Sequence, residues 1–340
     1  MIKYLLTCIV FVSTISHADF KQHDVNNFID FMYDEHSYNK DELRKLFQEI
    51  KTEPRIKKYF KKAPERTLTW NGCAKKDKSC TNYKSLFVTK KNIQKGIKFW
   101  LENTTELNAA EEKFGVPAEI IVAIIGIESR YGSRTGTFKT FDTLASLALG
   151  PNKGRRAKFY KSELINFLLL CKENNFNPRN IKGSYAGALG KPQFISSSYR
   201  NYAIDFNDDS KVDLWNSNGD VIGSVANYFK KNGWRSGMPI MSQIIFEESE
   251  REFVDSESKK SYKPKTPYKY FKTNNVYVND KISEKQLLSV IARKEKSGKV
   301  YSFGHKNFYV ITRYNRSRLY ALAVYYLSLE LKKSKTDVEI

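Results

Sequence analysis

Glu128 is the residue whose surroundings in the chain most favour chemistry. It follows Ile120-Ile-Val-Ala-Ile-Ile-Gly-Ile127, a run that is apolar on every face and so predicts a helix buried all round. Gly115-Val116-Pro117 marks the start of that helix, with Pro in its first turn. A carboxylate at the end of such a helix is desolvated, and the negative end of the helix dipole also favours the neutral form. A carboxylic acid still protonated near neutral pH can deliver a proton to a leaving oxygen, as protonation of a glycosidic oxygen requires. The alternative is an ion pair with Arg130 or Arg134, which would make Glu128 merely structural.

The surrounding pattern is mostly helical. Val25, Phe28, Ile29 and Met32, then Leu43, Leu46, Phe47 and Ile50, predict two amphipathic helices joined near Ser37-Tyr38-Asn39. Residues 51–80 are Lys-rich and broken by Pro54 and Pro64. Helices are predicted over Asn92–Lys113, Phe141–Leu149, Phe159–Cys171 and Asp220–Lys231, with a Gly-rich stretch at Gly183–Gly190. Ile244–Phe246, Val276–Val278, Lys299–Tyr301 and Phe308–Thr312 read as short strands between polar turns, and an apolar helix from Tyr320 to Leu331 closes the chain.

Four blocks carry a resemblance: Pro117–Gly132 around Glu128, Gly183–Phe194 with Ser197-Ser-Tyr199, Gly223–Phe229, and Phe308–Asn315. In that order they resemble the bacterial lytic transglycosylase B family, over roughly Tyr83 to Leu329. The resemblance implies a mainly α (α+β) fold, with a lysozyme-like helical core, a flanking helical domain and a small β-rich domain. The expected division is a signal peptide at 1–18, a helical region at 19–105, a catalytic core at 106–237, a β-rich domain at 238–312 and a returning helix at 313–340. It implies cleavage of peptidoglycan glycan strands between N-acetylmuramic acid and N-acetylglucosamine without water, leaving 1,6-anhydromuramoyl ends. Glu128 would be the sole acid and base. Ser184 and Gln193 would contact sugar, Tyr228, Tyr314 and Asn315 would line the groove beside Phe194, and Tyr83 matches a family aromatic. Arg155 and Arg156 match an Arg pair suited to carboxylates. Phe159 stands where the family often has Tyr, and Lys191-Pro192 replaces an aromatic-Gly pair. A hydrolase of the same bond, or a wall-binding protein without activity, are the competing readings.

Asp205-Phe-Asn-Asp-Asp-Ser-Lys-Val-Asp-Leu-Trp215 opens like a calcium loop, although Ser210 replaces the expected Gly and Asn216 the bidentate Glu. The resemblance implies a variant loop with Asp205, Asn207, Asp209, the Lys211 carbonyl and Asp220 as ligands, despite one extra residue before Asp220. One structural calcium and an Asx-rich turn needing no metal are both open; catalysis needs no cofactor.

The 340 residues carry Lys+Arg 58 against Asp+Glu 37, a net charge of +21. Such a charge suits a polyanionic mesh; the leader and the scattered lysines argue against nucleic acid. Met1-Ile2-Lys3, the apolar run Tyr4–Val12 and Ser16-His17-Ala18 describe a secretory signal peptide cleaved after Ala18. The expected location is the periplasm, and the expected state a monomer. Membrane association would require acylation of Cys8, as in an outer-membrane lipoprotein, and Thr7 before it argues against that. In an oxidising compartment Cys73 and Cys80 could close a small loop, whereas Cys171 follows three leucines and reads as a buried thiol.

Overall fold

The computed structural model describes residues 20–50, 56, 59, 64–72, 81–151 and 154–339. The leader, Cys8 and the Cys73–Cys80 segment lie outside the described residues.

The helix Ala118–Ser129 is the spine of the molecule. Ile120 to Ile125 are at most 2% exposed, because the sequence gives the helix no polar face to turn to water. The preceding helix Thr104–Phe114 ends at Gly115, whose φ of 67° reverses the chain. The amide of Ala118 then donates to Glu111 Oε2 at 2.9 Å. The closing helix Arg318–Glu339 packs along the spine and buries Tyr320, Ala321, Leu322, Val324, Leu327 and Leu331. The helix Lys90–Glu102 packs against both. The stretch predicted as one helix, Asn92–Lys113, is two. Asn103 leaves the helical region at φ −131°, and its Nδ2 donates to Phe99 O at 2.7 Å.

Two amphipathic helices, Gln22–His36 and Lys40–Gln48, meet at the left-handed Ser37. The chain also carries the helices Thr140–Ala148, Ala157–Glu173 and Asn218–Lys231. A two-residue ladder joins β1 (Phe138–Lys139) to β2 (Lys182–Gly183), pairing Phe138 with Gly183.

The remaining strands form one antiparallel sheet in the order β4-β6-β7-β3-β5, namely Thr266–Pro267, Leu287–Glu295, Gly298–Gly304, Met241–Ile245 and Tyr277–Val278. The hairpin β6–β7 runs in register from Ser289↔Gly304 to Glu295↔Gly298. This sheet encloses its own small core of Ile244, Val254, Tyr268, Phe271, Leu288, Val290 and Phe303. Phe308–Thr312, read above as a strand, is instead part of the helix Lys306–Tyr314. Its run of apolar and β-branched residues mimics a strand, but Phe308, Val310 and Ile311 pack into the main helical core. Asn307 fixes the helix entry, accepting from Arg235 N and donating to the carbonyls of Arg235 and Met238.

Candidate active site

Glu128 occupies the last turn of the spine helix because the next two residues, Arg130 and Tyr131 after Ser129, turn left-handed at φ 54° and 57°. Their amides return to Gly126 O and Ile125 O. Glu128 is partly exposed between buried Ile127 and Ser129. Its Oε1 accepts a 2.6 Å hydrogen bond from the hydroxyl of Tyr320. The ion-pair alternative is overturned: Arg130 donates to Leu86 O at 2.6 Å and covers the Phe87 ring. Among the described residues no cation pairs with Glu128.

Burial pushes the pKa of Glu128 up to about 7, the Tyr320 hydrogen bond pulls it down, and the negative charge of Glu65 adds to the rise. Both protonation states are therefore populated near neutral pH. Burial holds the phenols of Tyr314 and Tyr320 well above their ordinary pKa, so both stay neutral donors.

An aromatic wall adjoins the acid. Tyr314 and Tyr320 lie nearly parallel at 6.3 Å, and Tyr314 donates to Pro192 O at 2.6 Å. Tyr228 meets Tyr314 at 4.8 Å and donates to Arg313 O at 2.7 Å. Phe194, 2% exposed, is 5.8 Å from both Tyr228 and Tyr314. The structure brings these three residues together, and the hydroxyls of Tyr228 and Tyr314 are both spent on backbone carbonyls. Tyr83 is buried and donates to Glu65 Oε1 at 2.8 Å. Asn315 is exposed and ends the helix Lys306–Tyr314.

Gln193 adopts φ 51°, and its Nε2 donates to Thr135 O at 3.1 Å and Gly190 O at 2.8 Å. This ties the Gly-rich loop to the turn after Glu128 and leaves Oε1 as an acceptor. Ser184 Oγ accepts from the amides of Ala186 and Ala188 at 3.3 and 3.0 Å, while its proton is available to a ligand. Arg155 and Arg156 are exposed at the start of the helix Ala157–Glu173. The guanidinium of Arg156 stacks 4.4 Å from Phe159 and 5.3 Å from Tyr160.

Two residues were not singled out from the sequence. Tyr320 is one of several tyrosines on the closing helix, and Glu65 follows Pro64 in a four-residue helix. Pro in a first turn signals the helix, but nothing local says that its next residue meets Tyr83. Another carboxylate, Asp142, is committed to Arg179 Nη1 at 2.9 Å.

The Asp205 loop is self-satisfied. Asp205 accepts from the amides of Asp209 and Ser210 at 3.2 and 2.7 Å. Asp209 accepts from Lys211 N and Asn207 Nδ2, both at 2.9 Å. Asp220, 0% exposed, accepts from Phe206 N at 2.9 Å and Asp213 N at 2.8 Å. Among the described residues no three His, Cys, Asp or Glu are grouped to hold a metal ion. The candidate calcium ligands Asp205, Asn207 and Asp209 are thus tied to one another across the loop, while each oxygen of Asp220 accepts one backbone amide. Asp220→Ala should cost about 3 kcal/mol by stripping two charge-assisted bonds from buried amides. Chemical denaturation would check this, and a loss below about 1 kcal/mol would contradict it.

The family model described as the Transglycosylase SLT domain matches residues 20–329. Membrane-bound lytic murein transglycosylase B of Escherichia coli (strain K12) is 34% identical over 305 residues, 89% of this chain and 81% of that protein. Among solved structures, the soluble lytic transglycosylase SltB1 of Pseudomonas aeruginosa is 34% identical with a TM-score of 0.82, covering 92% of this chain and 99% of that one. Escherichia coli Slt35 in complex with calcium is 31% identical with a TM-score of 0.79, covering 96% and 100%. SltB3 of Pseudomonas aeruginosa in complex with NAG-NAM-pentapeptide is 25% identical with a TM-score of 0.73, covering 92% and 79%.

Proposed function

The chain belongs to the lytic murein transglycosylases that carry the Transglycosylase SLT domain, and on that footing we propose that Glu128 is the single acid and base of its glycosidic cleavage. The bond is the β-1,4 link between N-acetylmuramic acid and N-acetylglucosamine, and the product carries a 1,6-anhydromuramoyl end. The observation that carries this reading is the Glu128 carboxyl itself. It ends an apolar helix, is held by Tyr320 at 2.6 Å, and has its pKa pushed up to about 7.

In the first step the protonated Glu128 gives its proton to the glycosidic oxygen, and the C1–O bond breaks with the electron pair leaving on that oxygen. The acetamido group of the muramoyl sugar steadies the charge developing at C1. In the second step the Glu128 carboxylate takes the proton of the C6 hydroxyl as its oxygen bonds to C1. Glu128 ends protonated, ready for another cycle. A two-carboxylate route would need a partner across the bond; Asp142 is paired with Arg179, and Glu65 accepts from Tyr83.

Tyr228, Tyr314 and Phe194 form the wall beside the reacting sugar, with Asn315, Ser184 and Gln193 offering polar contacts along the groove and Tyr83 packed behind it on Glu65. Arg155 and Arg156 take up substrate carboxylates at its edge. The pentapeptide complex of SltB3 supports a peptide-bearing glycan strand as substrate. The protein acts as a monomer in the periplasm, and only an acylated Cys8 would tie it to the membrane. Among the described residues no helix is long and apolar enough to cross a membrane.

Mass spectrometry of the muropeptides released from purified peptidoglycan tests the reaction type. Products one water lighter than those of a hydrolase are expected; reducing ends would mean hydrolysis. Tyr320→Phe should move the descending limb of the pH–rate profile to higher pH. The lost hydrogen bond favours the carboxylate, so its removal raises the pKa of Glu128 further. An unchanged or lowered limb would show that Tyr320 does not tune the acid.

A further inference from the structure

A cleft of about 320 Å³ opens where the loops leading into β4 and β6 meet the start of the helix Lys306–Tyr314, at the small end of the range of ligand sites. Arg235, Lys263, Lys285 and Lys306 line it together with Tyr309, and no carboxylate does. Among the described residues none of these four cations has a carboxylate partner. Lysines nearby in the chain are paired: Lys259 with Asp255 at 2.9 Å, Lys260 with Glu257 at 2.5 Å and Lys272 with Glu284 at 2.6 Å. Acids are therefore at hand in this part of the fold, and the cations facing the cleft go without one.

Two further features concentrate the charge. The ammonium groups of Lys263 and Lys306 lie 5.8 and 5.5 Å from the centre of the Tyr309 ring, within cation–π range. Lys306 also stands in the first turn of its helix, where there is no acid. A cation there opposes the positive end of the helix dipole, a cost that a bound anion offsets. Four like charges around one small cleft also repel one another, and an anion among them turns that repulsion into attraction. Lysine offers phosphate a compact charge and arginine a planar fork.

The cleft is remote from the groove. Arg235 follows Trp234, whose Nε1 donates to Gly115 O at 3.0 Å, just before the spine helix begins. Glu128 lies in the last turn of that 12-residue helix, which is roughly 18 Å long. The cleavage described above makes no use of these cations.

Independently of the reading of Glu128, we propose that this cleft binds a phosphate group, with Lys263 and Lys306 as its principal partners and Arg235 and Lys285 completing the ring of charge. A soluble phosphate ester and the headgroup of an anionic lipid share that chemistry.

The test uses the full chain and three double variants. Lys263→Gln/Lys306→Gln removes charge from the cleft, and Lys263→Arg/Lys306→Arg keeps it. Lys90→Gln/Lys91→Gln removes equal charge from the first turn of the helix Lys90–Glu102. The probes are inorganic phosphate, by calorimetry, and phosphatidylcholine vesicles with and without phosphatidylglycerol, by sedimentation. The cleft Gln variant should lose roughly tenfold or more in affinity for whichever probe binds wild type. The Arg variant and the Lys90/Lys91 variant should stay within about threefold of wild type. Binding of inorganic phosphate with this pattern supports the site and identifies a soluble phosphate ester as its ligand. Binding only to vesicles that contain phosphatidylglycerol, with the same pattern, supports it and identifies a lipid headgroup. Equal losses in the two Gln variants would reduce the effect to net charge and overturn the site. Failure of wild type to bind either probe would overturn it as well.

Discussion

Replacement of Glu128 by Gln is expected to lower release of anhydromuropeptides by about 10³-fold while the fold stays intact. The amide matches the carboxyl in size and can still accept from Tyr320, so the spine and the aromatic wall have no reason to move. What it cannot do is give up a proton to the glycosidic oxygen or take one from the C6 hydroxyl. Both steps of the cycle therefore fail together; of the other carboxylates, Asp142 is paired to Arg179 and Glu65 accepts from Tyr83. Time courses of soluble products at pH 6 measure the effect. More than about a tenth of wild-type rate would remove Glu128 from the acid–base role.

The same substitution carries a stability signature of known sign. In the unfolded chain Glu128 titrates in the ordinary carboxylate range, whereas burial raises it to about 7 in the folded protein. Between those values the folded state holds the proton more tightly, so wild type loses stability as pH rises through that window. Gln has no charge to desolvate. Glu128→Gln should melt at a higher temperature than wild type at pH 8, with the difference closing by pH 4. A difference independent of pH would contradict the raised pKa.

Gly136→Ala is expected to be nearly as damaging by a different route. Gly136 has φ +100°, and a Cβ there would overlap the carbonyl oxygen of Gly183 and crowd the amide of Ser184. Both obstacles are backbone, and that backbone forms the β1–β2 ladder and the start of the Gly-rich loop. Strain and overpacking together should cost about 2–5 kcal/mol and displace Ser184 and Gln193 from the groove. Gly154→Ala is the control, because a Cβ there meets nothing within 4 Å. Thermal melts and kcat/KM on peptidoglycan measure both variants. Wild-type values for Gly136→Ala would show that the loop can shift without consequence.

Local pattern was enough for the spine helix and its terminal acid. A run with no polar face can only be buried, Gly115-Val116-Pro117 sets where it begins, and the carboxyl at its end is desolvated wherever the rest of the fold lies. The paired N-terminal helices and the closing helix were legible for the same reason, since 3.6-residue periodicity is a property of the segment itself. The segment Phe308–Thr312 was not, because β-branched and aromatic runs suit a strand or a buried helix equally, and packing into the helical core decided between them. Nor could the Asp205 loop be settled by its alternating oxygens. That Asp220 reaches the amides of Phe206 and Asp213 depends on where the helix Asn218–Lys231 docks. The proton chemistry divides the same way: the sequence determined that Glu128 would be hard to ionise, and only tertiary structure supplied Tyr320 from 192 positions downstream and the charge of Glu65 from a short helix far upstream. Contacts between residues so distant in the chain leave no periodic trace along it, because they arise only when separately formed helices pack.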